Sequence, residues 1–243
     1  MSEETRYNKI LNDPVIINYY QLIAKLEDRR SDGWAHHDLN HVKNVANLVE
    51  QILNKLREDN DNFTYDDNFI EEAKIAAILH DIGMFRGKKK HDEYGAEYAK
   101  YYLKKRNITL EHEGEVIDAI QVHREGFETN NIIAIIIILA DKLDIQKTRV
   151  AKNGRNITGM RQMLHNTGID IKIENKVFIV NFISDNYINK PELEGFYFTK
   201  KVFFAIREFS KKMKLTPNIL FNGVQWDLHS ENQLEKWKLE KNF

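Results

Sequence analysis

Between Asn12 and about Val150 the apolar residues recur at helical spacing, and proline is nearly absent after Pro14, so this stretch predicts helix throughout. Asp13 is placed to cap a helix that Pro14 begins. The spacing predicts helices near 13–30, 38–57, 67–83, 92–106, 111–124 and 131–150, joined by short polar links such as Glu58 to Asp66. Past about Ala151 the pattern changes. Ile169, Ile171 and Ile173, then Phe178, Val180 and Phe182, alternate around Glu174-Asn175-Lys176 as a hairpin should. Phe198, Val202, Ile206, Phe209 and Met213 make one apolar stripe on a further helix. Asn222-Gly223, between Ile219-Leu220-Phe221 and Val224-Gln225-Trp226, signals a second tight hairpin. The expectation is a mainly α protein, a helical bundle over 1–150 with a small C-terminal α+β appendage over 151–243 packed on it.

Composition narrows the chemistry. Lys and Arg number 36 against 37 Asp and Glu, a formal net charge of -1, so no global basic field gathers nucleic acid or a membrane surface, and neither is an expected partner. Cysteine is absent, which excludes disulfides, thiolate metal sites and cysteine nucleophiles. The opening MSEETRYNKI does not read as a secretory signal, so a cytoplasmic location is expected. The longest apolar run, Ile132 to Ala140, is too short to span a bilayer and ends on Asp141, as a buried core helix would.

Polar residues at the ends of apolar helices are the anomaly. Ala76-Ala77-Ile78-Leu79 runs into His80-Asp81, with Gly83 read as the helix stop. A carboxylate buried there must be paired, protonated or bound to a cation; mutual capping of His80 and Asp81 is the alternative. Asp141 closes the all-apolar run, where a salt bridge to Lys147 or Arg149 competes with metal ligation, and Asp144 shares its face at i+3. His37 and His41, spaced i,i+4, point the same way beside Val45, Leu48 and Ile52, although a surface histidine cluster is the plainer reading for His36. His91 opens a helix whose Gly95, Ala96 and Ala99 permit close approach of a neighbour, and His123 ends one much as His80 does. His112, His165 and His229 have no such context.

Taken in chain order with their flanks, His41, His80-Asp81, His91, His123 and Asp141 resemble the HD superfamily of metal-dependent phosphohydrolases. The resemblance implies a bundle of at least five helices, with a metal on His41, His80, Asp81 and Asp141. In members with two metals, two further histidines occupy the places of His91 and His123. Ala140-Asp141-Lys142 is similar to a segment of the bacterial dinucleoside tetraphosphate hydrolases. The motifs of the cyclic di-GMP phosphodiesterase branch and of the alarmone hydrolases are missing, since the chain reads His123-Arg124-Glu125-Gly126-Phe127 and Ile82-Gly83-Met84-Phe85-Arg86 there.

An imidazole and carboxylate set suits one or two divalent ions of Mn, Fe, Co, Zn or Mg. With two ions Asp81 is the natural bridge and the central catalytic residue, because one carboxylate offers two oxygens. The expected reaction is hydrolysis of a phosphate ester or anhydride of a small phosphorylated substrate, a nucleotide, by metal-activated water. Lys88, in the basic run from Arg86 to Lys90, together with Arg124, Arg149, His37 and Asp144, is assigned to the substrate side. A regulatory, nucleotide-sensing protein without turnover and an iron-dependent oxygenase-like relative are the rival functions; a homo-oligomer is left open.

Overall fold

The computed structural model describes residues 4–59, 63–124 and 126–228; Glu125 and His229 lie outside them. A short helix α1 (Arg6–Leu11), which the apolar spacing did not reveal, precedes α2 (Pro14–Arg29). The bundle continues with α3 (Leu39–Asp59), α4 (Asp67–Leu79), α5 (His91–Lys105), α6 (Glu113–Val122) and α7 (Ile132–Leu143). The remaining chain supplies β1 (Asn166–Glu174), β2 (Val177–Ser184), α8 (Lys190–Gly195), α9 (Tyr197–Met213), β3 (Thr216–Phe221) and β4 (Val224–Gln225). No helix among the described residues is long and apolar enough to cross a membrane.

Local chemistry accounts for the helix starts. Asp13, Asp66 and Asn131 each accept a backbone N–H of the first turn, at the heads of α2, α4 and α7. α7 is apolar on every side and is correspondingly enclosed, packing against α3, α4, α6 and α9. Two expected helices stop early. α4 ends at Leu79, and residues 82–86 tighten into a 3-10 turn. α7 ends at Leu143, followed by a 3-10 turn at Lys147–Arg149.

Gly83 lies inside the first of these turns rather than stopping a helix. A Cβ there would lie 2.0 Å from the His91 carbonyl oxygen and 2.6 Å from the Gly95 nitrogen. The glycine exists so that the first turn of α5 can press against the segment carrying His80 and Asp81.

The sheet has the order β1-β2-β3-β4. β1 and β2 form the expected antiparallel hairpin, with Asn175 and Lys176 both at positive φ in the turn. Asp59, the last residue of α3, accepts the amides of Asn175 and Lys176 at 3.1 and 3.3 Å. β3 was expected only as half of a second hairpin; it also pairs in parallel with β2, through a crossover made by α9. Its hairpin with β4 turns at Asn222 and Gly223, as read from the sequence. Buried side chains continue from the bundle into the sheet and α9 without interruption.

Asp13 also ties α2 to α5. Its carboxylate accepts from the Val15 amide, from Tyr102 Oη at 2.7 Å and from Arg106. Burial alone would raise this carboxyl, but those three donors outweigh it and hold it below the ordinary 3.8. Asp13→Ala is expected to cost about 2 kcal/mol of unfolding free energy. Because the folded-state pKa is depressed, the contribution is complete above about pH 3.8 and is lost as pH falls through the folded value. Urea unfolding of both proteins across acidic pH checks this, and a gap that widens on acidification would refute it.

Candidate metal centre

Five helices and the turn after α4 bring His41, His80, Asp81, His91, His123 and Asp141 into one buried cluster. Asp81 is its hub. Oδ2 of Asp81 lies 3.1 Å from His80 Nε2 and 3.4 Å from His41 Nε2, and Asp141 Oδ1 lies 3.3 Å from the same His41 nitrogen. Oδ1 of Asp81 faces the other way, 3.2 Å from His91 Nε2 and 3.7 Å from His123 Nε2. Two ligand groups result, His41-His80-Asp81-Asp141 and Asp81-His91-His123, sharing one carboxylate.

Every imidazole of the cluster is aimed by its outer nitrogen. Nδ1 of His80 donates to the Ala77 carbonyl at 2.8 Å, Nδ1 of His91 to that of Lys88 at 2.9 Å, and Nδ1 of His123 to that of Ile120 at 2.7 Å. Nδ1 of His41 donates to Asp144 Oδ2 at 2.7 Å. All four Nε2 atoms are therefore turned inward, the arrangement by which second partners orient metal-binding histidines.

The residues fit a divalent ion on two observations. His41 Nε2, His80 Nε2 and Asp81 Oδ2 are buried without a hydrogen-bond partner, a costly state for polar atoms. His91 Nε2 and His123 Nε2 also meet at 3.2 Å, although each ring already donates through Nδ1. Two neutral imidazoles so placed would oppose lone pairs, and a proton or cation between them removes the conflict.

Charge balance agrees with this reading. Burial opposes ionisation of Asp81, yet His80, His37, His123 and His41 hold it well below the usual carboxylate range. Burial and Arg149 push His41 down, but Asp141, Asp144 and Asp81 win and lift it to about 10. A dication entering this group competes with that proton, so binding releases protons and weakens with acidity.

A cavity of about 470 Å³ opens onto Asp81, His91, His123 and Asp141. His37, Lys88, Arg124 and Arg149, assigned to the substrate side, line it as well. Asp144 does not: it is fully buried behind His41, with its other oxygen bonded to Asn44, so it faces no substrate. The ion-pair alternative for Asp141 is realised with Arg149 at 3.2 Å and with Lys142, not with Lys147, and it leaves Asp141 in the cluster. His37 is braced by Glu27, which accepts from both its Nδ1 and its amide.

Glu27 and Lys142 were not assigned from the sequence, nor were Met160, Met163, Tyr197 and Lys201, which reach the cavity from beyond the bundle. Only the spatial neighbourhood reveals them; a lone Glu27 on an amphipathic helix gives no signal.

Asp144→Ala is expected to weaken divalent-ion binding about 10–100-fold, because His41 loses the acceptor that fixes its tautomer. Metal titration followed by isothermal calorimetry measures this; unchanged affinity would mean that Asp144 does not orient the ring.

Residues 38–146 match the family described as HD domain. With the helical bundle and the buried His/Asp cluster, this segment is an HD domain, of the superfamily of metal-dependent phosphohydrolases. The curated relatives of the chain include ribonuclease Y 1 of Pediococcus pentosaceus, 32% identical over 126 residues, which are 51% of this chain and 20% of that protein. Ribonuclease Y of Mycoplasma capricolum is 30% identical over 168 residues, 62% of this chain and 29% of the relative. The chain thus spans under a third of the length of these relatives.

Proposed function

We propose that the chain is a metal-dependent phosphohydrolase that cleaves a phosphate ester or anhydride of a nucleotide. The observation that carries this reading is Asp81 facing two sets of inward-turned imidazoles, at 3.1 and 3.4 Å on one oxygen and 3.2 and 3.7 Å on the other. His41, His80, Asp81 and Asp141 would hold one ion, and Asp81, His91 and His123 a second; Mn, Fe, Co, Zn and Mg all suit this donor set. Such ions, when bound, supply Lewis acidity toward phosphoryl oxygens and hydroxide near neutral pH.

The residues around the cluster divide the remaining work. Lys88, Arg124 and Arg149 offer positive charge to the phosphate, with the planar forks of the two arginines suited to paired oxygens. His37 donates from Nδ1 to Glu27, and burial together with Arg149 keeps its pKa below the ordinary value, so the ring is neutral and its Nε2 would accept a proton or hydrogen bond from water or substrate in the cavity. No side-chain nucleophile is required.

Cleavage of an RNA phosphodiester is the second reading, supported by the names of the ribonuclease Y relatives. One screen tests both. Metal analysis of the purified protein is combined with product assays over nucleotides, dinucleoside polyphosphates, phosphodiesters and short RNA, each with Mn, Fe, Co, Zn and Mg. Turnover of the first two groups supports the nucleotide reading, and turnover confined to RNA replaces it with the second. Absence of both metal and turnover defeats the enzyme altogether and favours a sensing role.

A further inference from the structure

The cavity has cationic and aromatic residues in its lining. Lys88, Arg124 and Arg149 come from the elements around the cluster. Met160, Phe196, Tyr197 and Phe198, with Lys201, line the cavity from the part of the chain that follows the matched HD segment. The corner that presents these rings is firmly built. Thr199 Oγ1 donates to the Leu193 carbonyl at 2.6 Å, and the Phe196 amide donates to the same carbonyl at 3.1 Å. Gly159, at φ +82°, lies so close beneath Phe196 that a Cβ there would come within 2.4 Å of the Phe196 Cβ.

Phe196 packs against Tyr197 edge to face, with ring centroids 4.8 Å apart. Tyr197 is thereby supported on one side; it lines the cavity, is 43% exposed overall, and has Lys201 Nζ over its ring at 5.7 Å from the centroid. An aromatic ring held in place in a cavity that also carries cationic side chains matches a ligand with a flat π-system at one end and phosphate at the other. An acyl chain would use the apolar residues without needing a flat ring, and a simple sugar phosphate would leave them uncovered.

We propose that Tyr197, backed by Phe196 and Phe198, is a nucleobase-stacking wall, so that the part of the chain outside the HD segment selects nucleotides over base-free phosphate compounds. This rests on the phosphohydrolase reading for its substrate but concerns other residues of the cavity. Stacking on one aromatic side chain tolerates any base, so the wall discriminates the presence of a base rather than its identity.

Calorimetric titration of the purified chain with ADP, UDP and inorganic pyrophosphate tests it. The wild type is expected to bind both nucleotides at least about tenfold more tightly than pyrophosphate. Tyr197→Ala should lose about tenfold for ADP and UDP and less than about twofold for pyrophosphate, while Tyr197→Phe, which keeps the ring, stays near the wild type. Equal affinity of the wild type for nucleotides and pyrophosphate, binding of neither, or equal losses for both in Tyr197→Ala would each overturn the wall. Nucleotide binding that depends on Tyr197, in a protein that hydrolyses no phosphate compound, overturns the hydrolase reading alone. Hydrolysis of base-free esters as fast as of nucleotides overturns the wall alone.

Discussion

Asp81→Asn is expected to strip the protein of its divalent ions and to lower hydrolysis at least about 10³-fold. The substitution keeps size and one acceptor oxygen but replaces the other oxygen, which serves one of the two imidazole groups, with a donor. That amide must then face either the His41 and His80 nitrogens at 3.4 and 3.1 Å or those of His91 and His123 at 3.2 and 3.7 Å. It also removes the only negative charge common to both groups. The measurement is metal content by elemental analysis beside the rate on the best substrate of the screen. A variant that loses stability but keeps metal and rate would show that the cluster is an ion-pair network and nothing more, the main rival explanation for buried charge at this depth.

The second large effect needs no change in any ligand. Gly83→Ala is expected to destabilise the fold by about 3 kcal/mol and to weaken metal binding in whatever protein remains folded. The added methyl would meet backbone, the His91 carbonyl oxygen at 2.0 Å and the Gly95 nitrogen at 2.6 Å, and backbone inside a helix cannot swing aside as a side chain can. Relief requires α5 to move away, which takes His91 from Asp81 and leaves the His41 group in place. Loss of one ion with retention of the other is therefore the expected signature. A variant with wild-type melting and full metal content would show that the helix yields more easily than this packing allows.

Much of the cluster was legible because polar residues interrupted apolar runs. His80, Asp81 and Asp141 each follow a stretch that had to be buried, and burial of such groups demanded a partner. What the sequence withheld was depth and side. Asp144 shares a helix face with Asp141, but spacing does not tell which of them reaches the cavity and which lies behind His41. Gly83 read as a stop because a glycine after a helix end and a glycine under a crossing helix look alike until the second helix is in place. The parallel pairing of β2 with β3 was hidden for a related reason, since Asn222-Gly223 announces its own hairpin and is silent about the crossover that delivers β3. Tyr197 carries no sequence signal as a cavity residue, because only the folded chain brings it to the same cavity as the bundle residues.

His80 and His123 follow the last residues of α4 and α6, and each returns its outer nitrogen to a carbonyl three residues back in its own helix. Both helices therefore bring their carboxyl ends to the same point, and the aligned peptide dipoles of each leave partial negative charge there. The attraction for a cation is in this respect a property of the main chain as well as of the six side chains. Substitution of a ligand lowers it, but the backbone field persists for as long as the two helices end where they do.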